Sequence, residues 1–379
     1  MESLKINYIL PVAGRTGGIR SLLNFMNELS RMGHEVYMTT LYYNKWFPLS
    51  PDVNVISKRT FFDAGYYFKM STLSKKKKVM ITVSMLHKLN EMIPKTDINI
   101  ATFAPTAYLA SLKSIEGTTP FYHMQHFETI MFDEPIMKKF VSDTYFLPIY
   151  KIANSIWLRD RLYDFTGKKY PIVNPAIEHD IFYKRKDGIS DQSDKIINIV
   201  ALGKGGWKNL DGIYNAVNQV RLVEKDKKII LHLFGHKPIE NIPFDGQYTI
   251  FHKDLNDEEL ASLYSSCDIQ ITFSKAESFP LPPLEAMACG TAVITTQYGT
   301  EDYAVDGENA IIVEPDNVDM LENKLKMLID DTELRRKIRD NGIKTAKKFN
   351  YTKQAKILET EIQKALDENT SNDLKSKII

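Results

Sequence analysis

Cysteine is nearly absent from this sequence, with only Cys267 and Cys289 among its 379 residues. Two cysteines are too few for a disulfide framework or for a zinc site of four thiolates. A reducing, cytosolic setting is therefore expected. Charge of one sign is not in excess either, because 49 Lys and Arg are balanced by 48 Asp and Glu. Nucleic-acid-binding domains usually carry a marked basic excess, so no nucleic acid partner is expected.

Long apolar runs and the common nucleotide-binding fingerprints are missing too. The apolar stretch from Ile6 to Val12 is much shorter than the roughly 20 residues that cross a bilayer, and a glycine-rich turn follows it rather than a signal-peptide cleavage site. Neither G-x-G-x-x-G nor G-x-x-x-x-G-K-S/T occurs. A nicotinamide-dependent dehydrogenase would carry the first pattern, so its absence argues against that class.

The composition is that of a folded protein, with 43% hydrophobic and 26% charged residues, in a chain long enough for about two domains. Short apolar runs alternate with amphipathic stretches of helical length, a succession typical of α/β proteins with parallel sheets. In the first half, Ile6 to Pro11 predicts a strand and Tyr170 to Val173 another. In the second half, Ile196 to Leu202 predicts the first strand of a new series. A helix there contains Leu334 and Ile338 before Gly342.

The composition changes abruptly between Tyr183 and Lys195, where charged residues, glycine and serine predominate. Such a stretch is typical of an interdomain linker. We therefore predict a first domain over 1–183, a linker over 184–195 and a second domain over 196–351. The helix from about 352 to 379 is expected to pack back on the first domain. Two open α/β domains that face each other would hold a substrate in the cleft between them.

The most informative stretch runs from Lys275 to Ile294 and reads KAESFPLPPLEAMACGTAVI. Glu277 follows a predicted strand, and Glu285 is expected in the first turn of a short helix that a double proline begins and Gly290 ends. Two carboxylates there can accept hydrogen bonds from sugar hydroxyls, and the amides of the helix start can face a diphosphate. Chance produces many glutamate pairs at this spacing, but the order of strand, glutamate, prolines, glutamate and glycine makes this pair informative.

This stretch resembles the glutamate, seven residues, glutamate signature of the retaining nucleotide-sugar glycosyltransferases of family 4, also called glycosyl transferases group 1. The turn at Gly17 and Gly18 is similar to that family's N-terminal glycine loop, and Lys204 with Lys208 resembles its basic pair. The resemblance implies the α/β GT-B fold, with two Rossmann-like parallel-sheet domains. It implies neither cofactor nor metal, and the lack of an Asp-x-Asp motif near a strand end agrees with this.

The resemblance also implies a role for each matching residue. Glu277 would hold hydroxyls of the donor sugar, and Glu285 would hold the ribose hydroxyls of the nucleotide. Lys204 and Lys208 would neutralise the diphosphate leaving group, on which charge builds as the glycosidic bond breaks. Gly17 and Gly18 would bind the donor through their backbone. Further backbone groups would come from the segment Ser278, Phe279, Pro280 and Leu281.

The sequence departs from the family pattern at several of these positions. Lys204 stands where the family often has Arg, which keeps the charge but loses the bidentate geometry. Asn209 follows Lys208 where a glycine is common. Ser278 and Pro280 replace two further glycines, and Pro280 has no N–H to donate.

Two histidines flank Gln125 at the end of the predicted strand from Phe121. The resemblance implies that a histidine of this region contacts the donor sugar, and His126 is the better candidate because it lies just past the strand end. His123 is equally well explained as a core residue. The carboxylate of Glu128 lies downstream, where it either steers an acceptor hydroxyl or, as we favour, belongs to a solvated loop.

Four consecutive lysines, Lys75 to Lys78, precede a stretch with helical apolar spacing. A solvated helix start is the simpler interpretation. The alternative is a weak, reversible peripheral contact with an anionic membrane, to which the aromatic residues from Phe61 to Phe68 would add an interfacial patch.

The sequence therefore predicts a cytoplasmic enzyme, with the inner face of the membrane as the alternative location. It would move a sugar from a nucleotide-diphosphate donor to a hydroxyl of a saccharide, a lipid-linked or a protein-linked acceptor, with retention. Two alternatives stay open, a non-catalytic nucleotide-sugar-binding subunit and a nucleotide-sugar epimerase on the same fold. The sequence does not determine the sugar, the nucleobase, the acceptor or the oligomeric state.

Overall fold

The computed structural model describes residues 2–57, 75–185, 195–240 and 242–376, without the side chains of 75–81 and 370–376. The first half of the chain forms a parallel sheet of six strands in the order β3-β2-β1-β4-β5-β6. Its strands are Lys5–Leu10 (β1), Glu35–Thr40 (β2), Asn54–Ser57 (β3), Ile98–Ala101 (β4), Thr119–Met124 (β5) and Tyr150–Ala153 (β6). The predicted strand from Tyr170 to Val173 is wrong, because only an isolated bridge joins Ala153 to Ile172 there.

Helices connect these strands, as parallel pairing requires. They are Gly17–Arg31 (α1), Lys75–Met92 (α2), Ala104–Lys113 (α3), Pro135–Asp143 (α4) and Ile156–Thr166 (α5). The first of them buries an apolar face that contains Leu22, Phe25, Met26 and Leu29. Lys75 to Lys78 do begin a helix, but their side chains and the aromatic segment from Phe61 to Phe68 lie outside the described residues.

A second parallel sheet of six strands has the order β12-β11-β10-β7-β8-β9. Its strands are Ile196–Leu202 (β7), Lys228–Gly235 (β8), Thr249–Lys253 (β9), Ile269–Ile271 (β10), Ala292–Thr296 (β11) and Ile311–Val313 (β12). Its helices are Leu210–Val223 (α6), Asp257–Ser265 (α7), Leu281–Cys289 (α8), Val318–Asp330 (α9) and Thr332–Ala346 (α10). The last of these continues through Gly342, where the missing side chain lets the helix pack against Met287.

The chain divides into two units, Met1–Pro175 with Tyr351–Ile379, and Ala176–Asn350. The helix Tyr351–Ser376 (α11) belongs to the first unit, where Tyr351 packs edge-on against Phe25 at 5.5 Å. The change of unit at Pro175 precedes the stretch 184–195 that we predicted as linker. Phe182 is fully buried, the carbonyl of Tyr183 accepts a hydrogen bond from Ser265 Oγ at 3.3 Å, and Arg185 pairs with Glu258, so these residues pack on the second unit. Residues 186–194 lie outside the described part.

Within each unit, parallel pairing brings the carboxyl ends of neighbouring strands to one edge of the sheet. In the second unit β7 pairs with β10, and β10 pairs with β11. The loops that follow these three strands are therefore neighbours. None of the described helices combines the length and the apolarity that crossing a bilayer requires.

Candidate functional site

The loop after β7 and the loop after β10 meet at the edge of the second sheet. The backbone N–H of Lys275 donates to the carbonyl of Trp207 at 2.8 Å, which ties the two loops together. The register explains this contact, because Ala201 lies opposite Ile271 near the ends of the two strands. The basic and the acidic positions that the sequence singled out are thus brought to one place.

Lys208 and Glu277 form an ion pair between these loops. Lys208 ends the short 3-10 turn Gly206–Lys208, and Glu277 lies in the loop beyond β10. The two side chains are only 18% and 12% exposed, so water screens the pair incompletely. A cation suited to a phosphate and an acceptor suited to hydroxyls are therefore held side by side.

The residue after Lys208 has a backbone conformation that few side chains tolerate. Asn209 has φ +52°, in the left-handed region where glycine and asparagine are favoured. Its side-chain oxygen accepts from the N–H of Gly212 at 3.3 Å and so caps α6. The departure from the family's glycine is thus compatible with the turn.

A second set of polar contacts supports the same loops. The carboxylate of Asp316 accepts a hydrogen bond from Asn209 Nδ2 at 3.0 Å and pairs with Lys275 Nζ at 2.7 Å. Asp316 follows β12 and was not singled out from the sequence. An aspartate in a loop of this kind carries no local motif that could have identified it.

Lys204 lies in the turn between β7 and the 3-10 turn, with an exposed side chain. Its Nζ lies 5.2 Å from the centre of the Trp207 ring. The turn begins at Gly203, where an added Cβ would lie 3.0 Å from the ring of Phe251 and 3.3 Å from the carbonyl oxygen of Phe234. Close backbone packing at the end of β7 therefore fixes the position of the Lys204 backbone.

Glu285 lies in the second turn of α8, not in the first turn as predicted, because the helix already begins at Leu281. The side chain is buried, and Tyr264 Oη donates to Glu285 Oε2 at 3.4 Å. The prolines at 282 and 283 fall inside the first turn and have no N–H. Within that turn only Leu281 and Leu284 keep an N–H, so fewer amides are available for an anion than the sequence analysis assumed.

The residues of the segment Ser278–Leu281 are buried. The carbonyl of Pro280 accepts a hydrogen bond from Tyr303 Oη at 2.8 Å. Phe279 packs against the rings of Tyr303 and Phe349, with centre distances of 5.3 and 5.9 Å. An aromatic cluster thus fixes the loop that carries Glu277.

Gly299, in the loop after β11, supports Glu277 from the other side. An added Cβ there would lie 2.7 Å from the carbonyl oxygen of Glu277 and 2.7 Å from the carbonyl carbon of Ser278. Its φ of +75° also favours glycine. In the sequence, Gly299 is recognisable only as a glycine that follows a buried strand. Its contact with the backbone of Glu277 cannot be predicted from the sequence.

In the first unit, Gly17 and Gly18 begin α1. Thr16 caps this helix, because its side-chain oxygen accepts from the N–H of Ile19 at 3.4 Å. An added Cβ on Gly18 would lie 3.8 Å from Cβ of Gln125, which follows β5. The glycine turn and the end of β5 are therefore neighbours within this unit.

The two histidines beside Gln125 have different surroundings. His123 is fully buried within β5, edge-on to Phe25 at 5.2 Å, and burial lowers its pKa to about 4. His126 is half-buried beyond the strand end, with its ring 5.7 Å from that of Trp157. His123 therefore belongs to the core, whereas His126 lies at the edge where ligands of such sheets bind.

Glu128 does not belong to a solvated loop, which corrects the expectation that we favoured. Its carboxylate is buried and accepts hydrogen bonds from the N–H of Ala104 at 2.7 Å and from Tyr122 Oη at 2.8 Å. Burial raises its pKa to about 8. Both oxygens hold the start of α3 and the end of β5, which indicates a structural role.

Comparison with protein families and curated proteins finds similarity to glycosyltransferases. The family model described as glycosyl transferases group 1 matches residues 181–345. The MMP alpha-(1->4)-mannosyltransferase of Mycolicibacterium hassiacum is 30% identical over 209 residues, which are 53% of this chain and 50% of that protein. The chain spans half or less of the length of the first curated relatives that it matches.

Solved structures match nearly the whole chain at low identity. Sucrose-phosphate synthase from Thermosynechococcus elongatus has a TM-score of 0.78 at 16% identity, over 96% of this chain and 99% of that one. HepE from Anabaena, in complex with UDP-glucose, has a TM-score of 0.68 at 15% identity, over 97% and 100%. With its two parallel six-stranded sheets, the chain has the GT-B fold, as expected.

Proposed function

We propose that this chain, which belongs to the glycosyl transferases group 1 family through residues 181–345, transfers a sugar from a nucleotide-diphosphate donor to an acceptor hydroxyl. The acceptor is a saccharide, a lipid-linked or a protein-linked glycan, and the anomeric configuration is retained. The observation that supports this most directly is the ion pair of Lys208 and Glu277. In this pair, a cation suited to binding phosphate lies beside a carboxylate that can accept hydrogen bonds from sugar hydroxyls.

Lys204 and Lys208 act on the leaving group in this proposal. The nucleoside diphosphate gains negative charge as its bond to the sugar breaks, and cations that are already in place stabilise that charge without reorganisation. Lys208 is held by Glu277, and Lys204 lies in the turn before it. The N–H groups of Ser278 and Phe279, in the loop that carries Glu277, would add hydrogen bonds to the donor. The reaction as proposed requires no metal ion.

The two glutamates orient the donor. Glu277 would accept hydrogen bonds from the hydroxyls of the transferred sugar, and Glu285, held by Tyr264, would accept them from the ribose. We favour attack by the acceptor on the face from which the phosphate leaves. A double displacement would need a carboxylate nucleophile at the anomeric carbon, and the carboxylate of Glu277 is engaged by Lys208.

From the first unit, Gly17, Gly18 and His126 would contribute donor contacts. The relatives support a nucleotide-sugar donor, because the match in M. hassiacum is a mannosyltransferase and the Anabaena HepE structure contains UDP-glucose. They do not agree on one sugar, so the sugar and the base have to be measured.

The first experiment is a thermal-shift screen with nucleoside diphosphates and nucleotide sugars. A ligand that binds only the folded state raises the melting temperature. At a ligand concentration one hundred times its Kd, the free energy of unfolding increases by about 2.7 kcal/mol. We expect one base to stand out. No shift with any nucleotide would contradict the proposal.

The second experiment measures transfer by the variant Glu277→Ala. We expect a folded protein with at least hundredfold lower turnover, because hydrogen bonds that orient the sugar are lost. Glu333→Gln is the matched control, since Glu333 is exposed on α10 and pairs with Arg336 of the same helix. Full activity of Glu277→Ala would contradict the assignment.

Product analysis separates the alternatives. A transferase releases the free nucleoside diphosphate and forms a glycoside whose anomeric proton has the coupling of the donor. An epimerase returns an altered sugar, and a non-catalytic subunit binds the nucleotide without releasing it from the donor.

A further inference from the structure

Among the described residues, the loops after β7 and β10 carry three lysines, and two of them are paired with carboxylates. Lys208 pairs with Glu277, and Lys275 pairs with Asp316. Lys204 differs, because no carboxylate of the described residues lies within 4.0 Å of its Nζ. The partner of its ammonium is the ring of Trp207, at 5.2 Å from the ring centre.

Trp207 is unusual in its exposure. Its side chain is 51% exposed in the 3-10 turn Gly206–Lys208, although tryptophan carries a large apolar surface. Its backbone is fixed, since its carbonyl accepts the N–H of Lys275 at 2.8 Å. The ring therefore projects from an anchored turn rather than from a free loop.

The physical difference between the two kinds of partner matters for anion binding. A carboxylate beside a lysine offsets part of its charge toward an incoming phosphate, although the lysine stays cationic. An aromatic face within about 6 Å attracts an ammonium through its quadrupole but carries no net charge. A lysine held by a ring therefore keeps its full charge for a ligand, while its long flexible stem loses part of its freedom.

We propose that Trp207 is a positioning residue that holds the ammonium of Lys204 ready for the diphosphate of the donor. This inference rests on the proposed function. It also explains how a lysine can stand where an arginine is common. The planar guanidinium is preorganised by its own geometry, and here the ring supplies the orientation that the lysine lacks.

The test is a double-mutant cycle on the affinity for the nucleoside diphosphate that stabilises the wild-type chain most. Trp207→Leu should weaken binding about two- to fivefold, the range that a cation–π contact at an exposed site corresponds to. Trp207→Phe should restore part of this loss because it keeps an aromatic face. In a Lys204→Met background, Trp207→Leu should have no further effect, since the two residues act as one unit.

The nucleoside without phosphates is the control ligand. Its affinity should be the same for the wild type and for Trp207→Leu, because the ring acts through Lys204 on phosphate. If Trp207→Leu also weakened binding of the nucleoside, the ring would stack on the base. If Trp207→Leu weakened diphosphate binding equally in the Lys204→Met background, the ring would contact the ligand directly. Either result would overturn the inference and leave the proposed function intact.

Fluorescence gives an independent measurement. Binding of the diphosphate should change the emission of Trp207, so the change should persist in Trp46→Phe and Trp157→Phe and disappear in Trp207→Phe. A change that persists in Trp207→Phe would contradict the inference. If the wild-type chain binds no nucleotide, the proposed function fails and this inference fails with it.

Discussion

The ammonium of Lys208 and the carboxylate of Glu277 form an ion pair across two loops that are 69 residues apart in the chain. The pair gives each of the two side chains a defined orientation within the second unit. Because both groups are mostly buried, neither can lose its partner without cost. The pair thus links the stability of the loops to the chemistry that we assign to them.

Removing one partner should therefore affect stability and activity together. Lys208→Met leaves the carboxylate of Glu277 unpaired, and an unsatisfied buried polar group costs about 1–3 kcal/mol. We expect that loss in chemical denaturation, and at least tenfold lower turnover because the leaving group loses a cation.

The double variant separates the two effects. Lys208→Met with Glu277→Gln contains no unpaired charge, so it should recover much of the lost stability but none of the activity. A double variant that is as active as the wild type would rule out the chemical role of the pair.

Gly299 offers a second test of the loop that carries Glu277. Gly299→Ala should destabilise the second unit by about 2–4 kcal/mol, because a left-handed backbone and a steric clash both oppose the new Cβ. It should also lower turnover at least tenfold by displacing Glu277. Gly307→Ala is the matched control, since Gly307 has φ +69° but no atom within 4 Å of an added Cβ. Equal effects of the two substitutions would show that backbone strain alone is responsible.

The order of strands and helices was predictable because buried parallel strands are short apolar runs and their helices are amphipathic. The strand Ile196–Leu202 has the predicted bounds. Composition was a poorer guide to the domain boundary. The prediction assigned residues up to Tyr183 to the first domain, whereas the chain changes unit after Pro175 and Phe182 and Tyr183 pack in the second unit.

The site was predictable only as far as motifs extend along the chain. Glu277 and Lys208 were chosen from separate motifs, and the pairing of β7 with β10 explains why they meet. Trp207, Asp316 and Gly299 were not identified, because their roles depend on contacts between loops. Such contacts follow from the three-dimensional arrangement of strands and have no local signature.

Gly18 tests whether the first unit contributes to donor binding. An added Cβ there would make only an ordinary contact with Gln125, at 3.8 Å. Gly18→Ala should therefore fold with unchanged or slightly higher stability, since alanine is the better helix former. If a donor approaches this backbone as proposed, its KM should rise about tenfold or more. Unchanged kinetics in a stable variant would remove the glycine turn from the site.

Glu128 gives a prediction about pH that does not depend on the proposed function. The carboxyl group is buried between Ala104 and Tyr122, and its pKa is raised to about 8 by that burial. In the unfolded chain the pKa is near 4.5. Between these values the folded state holds a proton that the unfolded state has released.

Low pH therefore favours folding, because the folded state keeps the proton on Glu128. The stability that this residue contributes should be lost as the pH rises from about 5 to about 8. The free energy of unfolding should fall by at most about 1.4 kcal/mol per pH unit. Glu128→Gln cannot ionise, so its gain in stability over the wild type should grow across this range and then level off. The measurement is urea unfolding followed by the fluorescence of Trp46 and Trp157, both in the first unit. Glu116→Gln, in the exposed 3-10 turn Ser114–Glu116 that follows α3, should show no such trend. A pH-independent difference for Glu128→Gln would mean that the buried carboxyl group is ionised throughout.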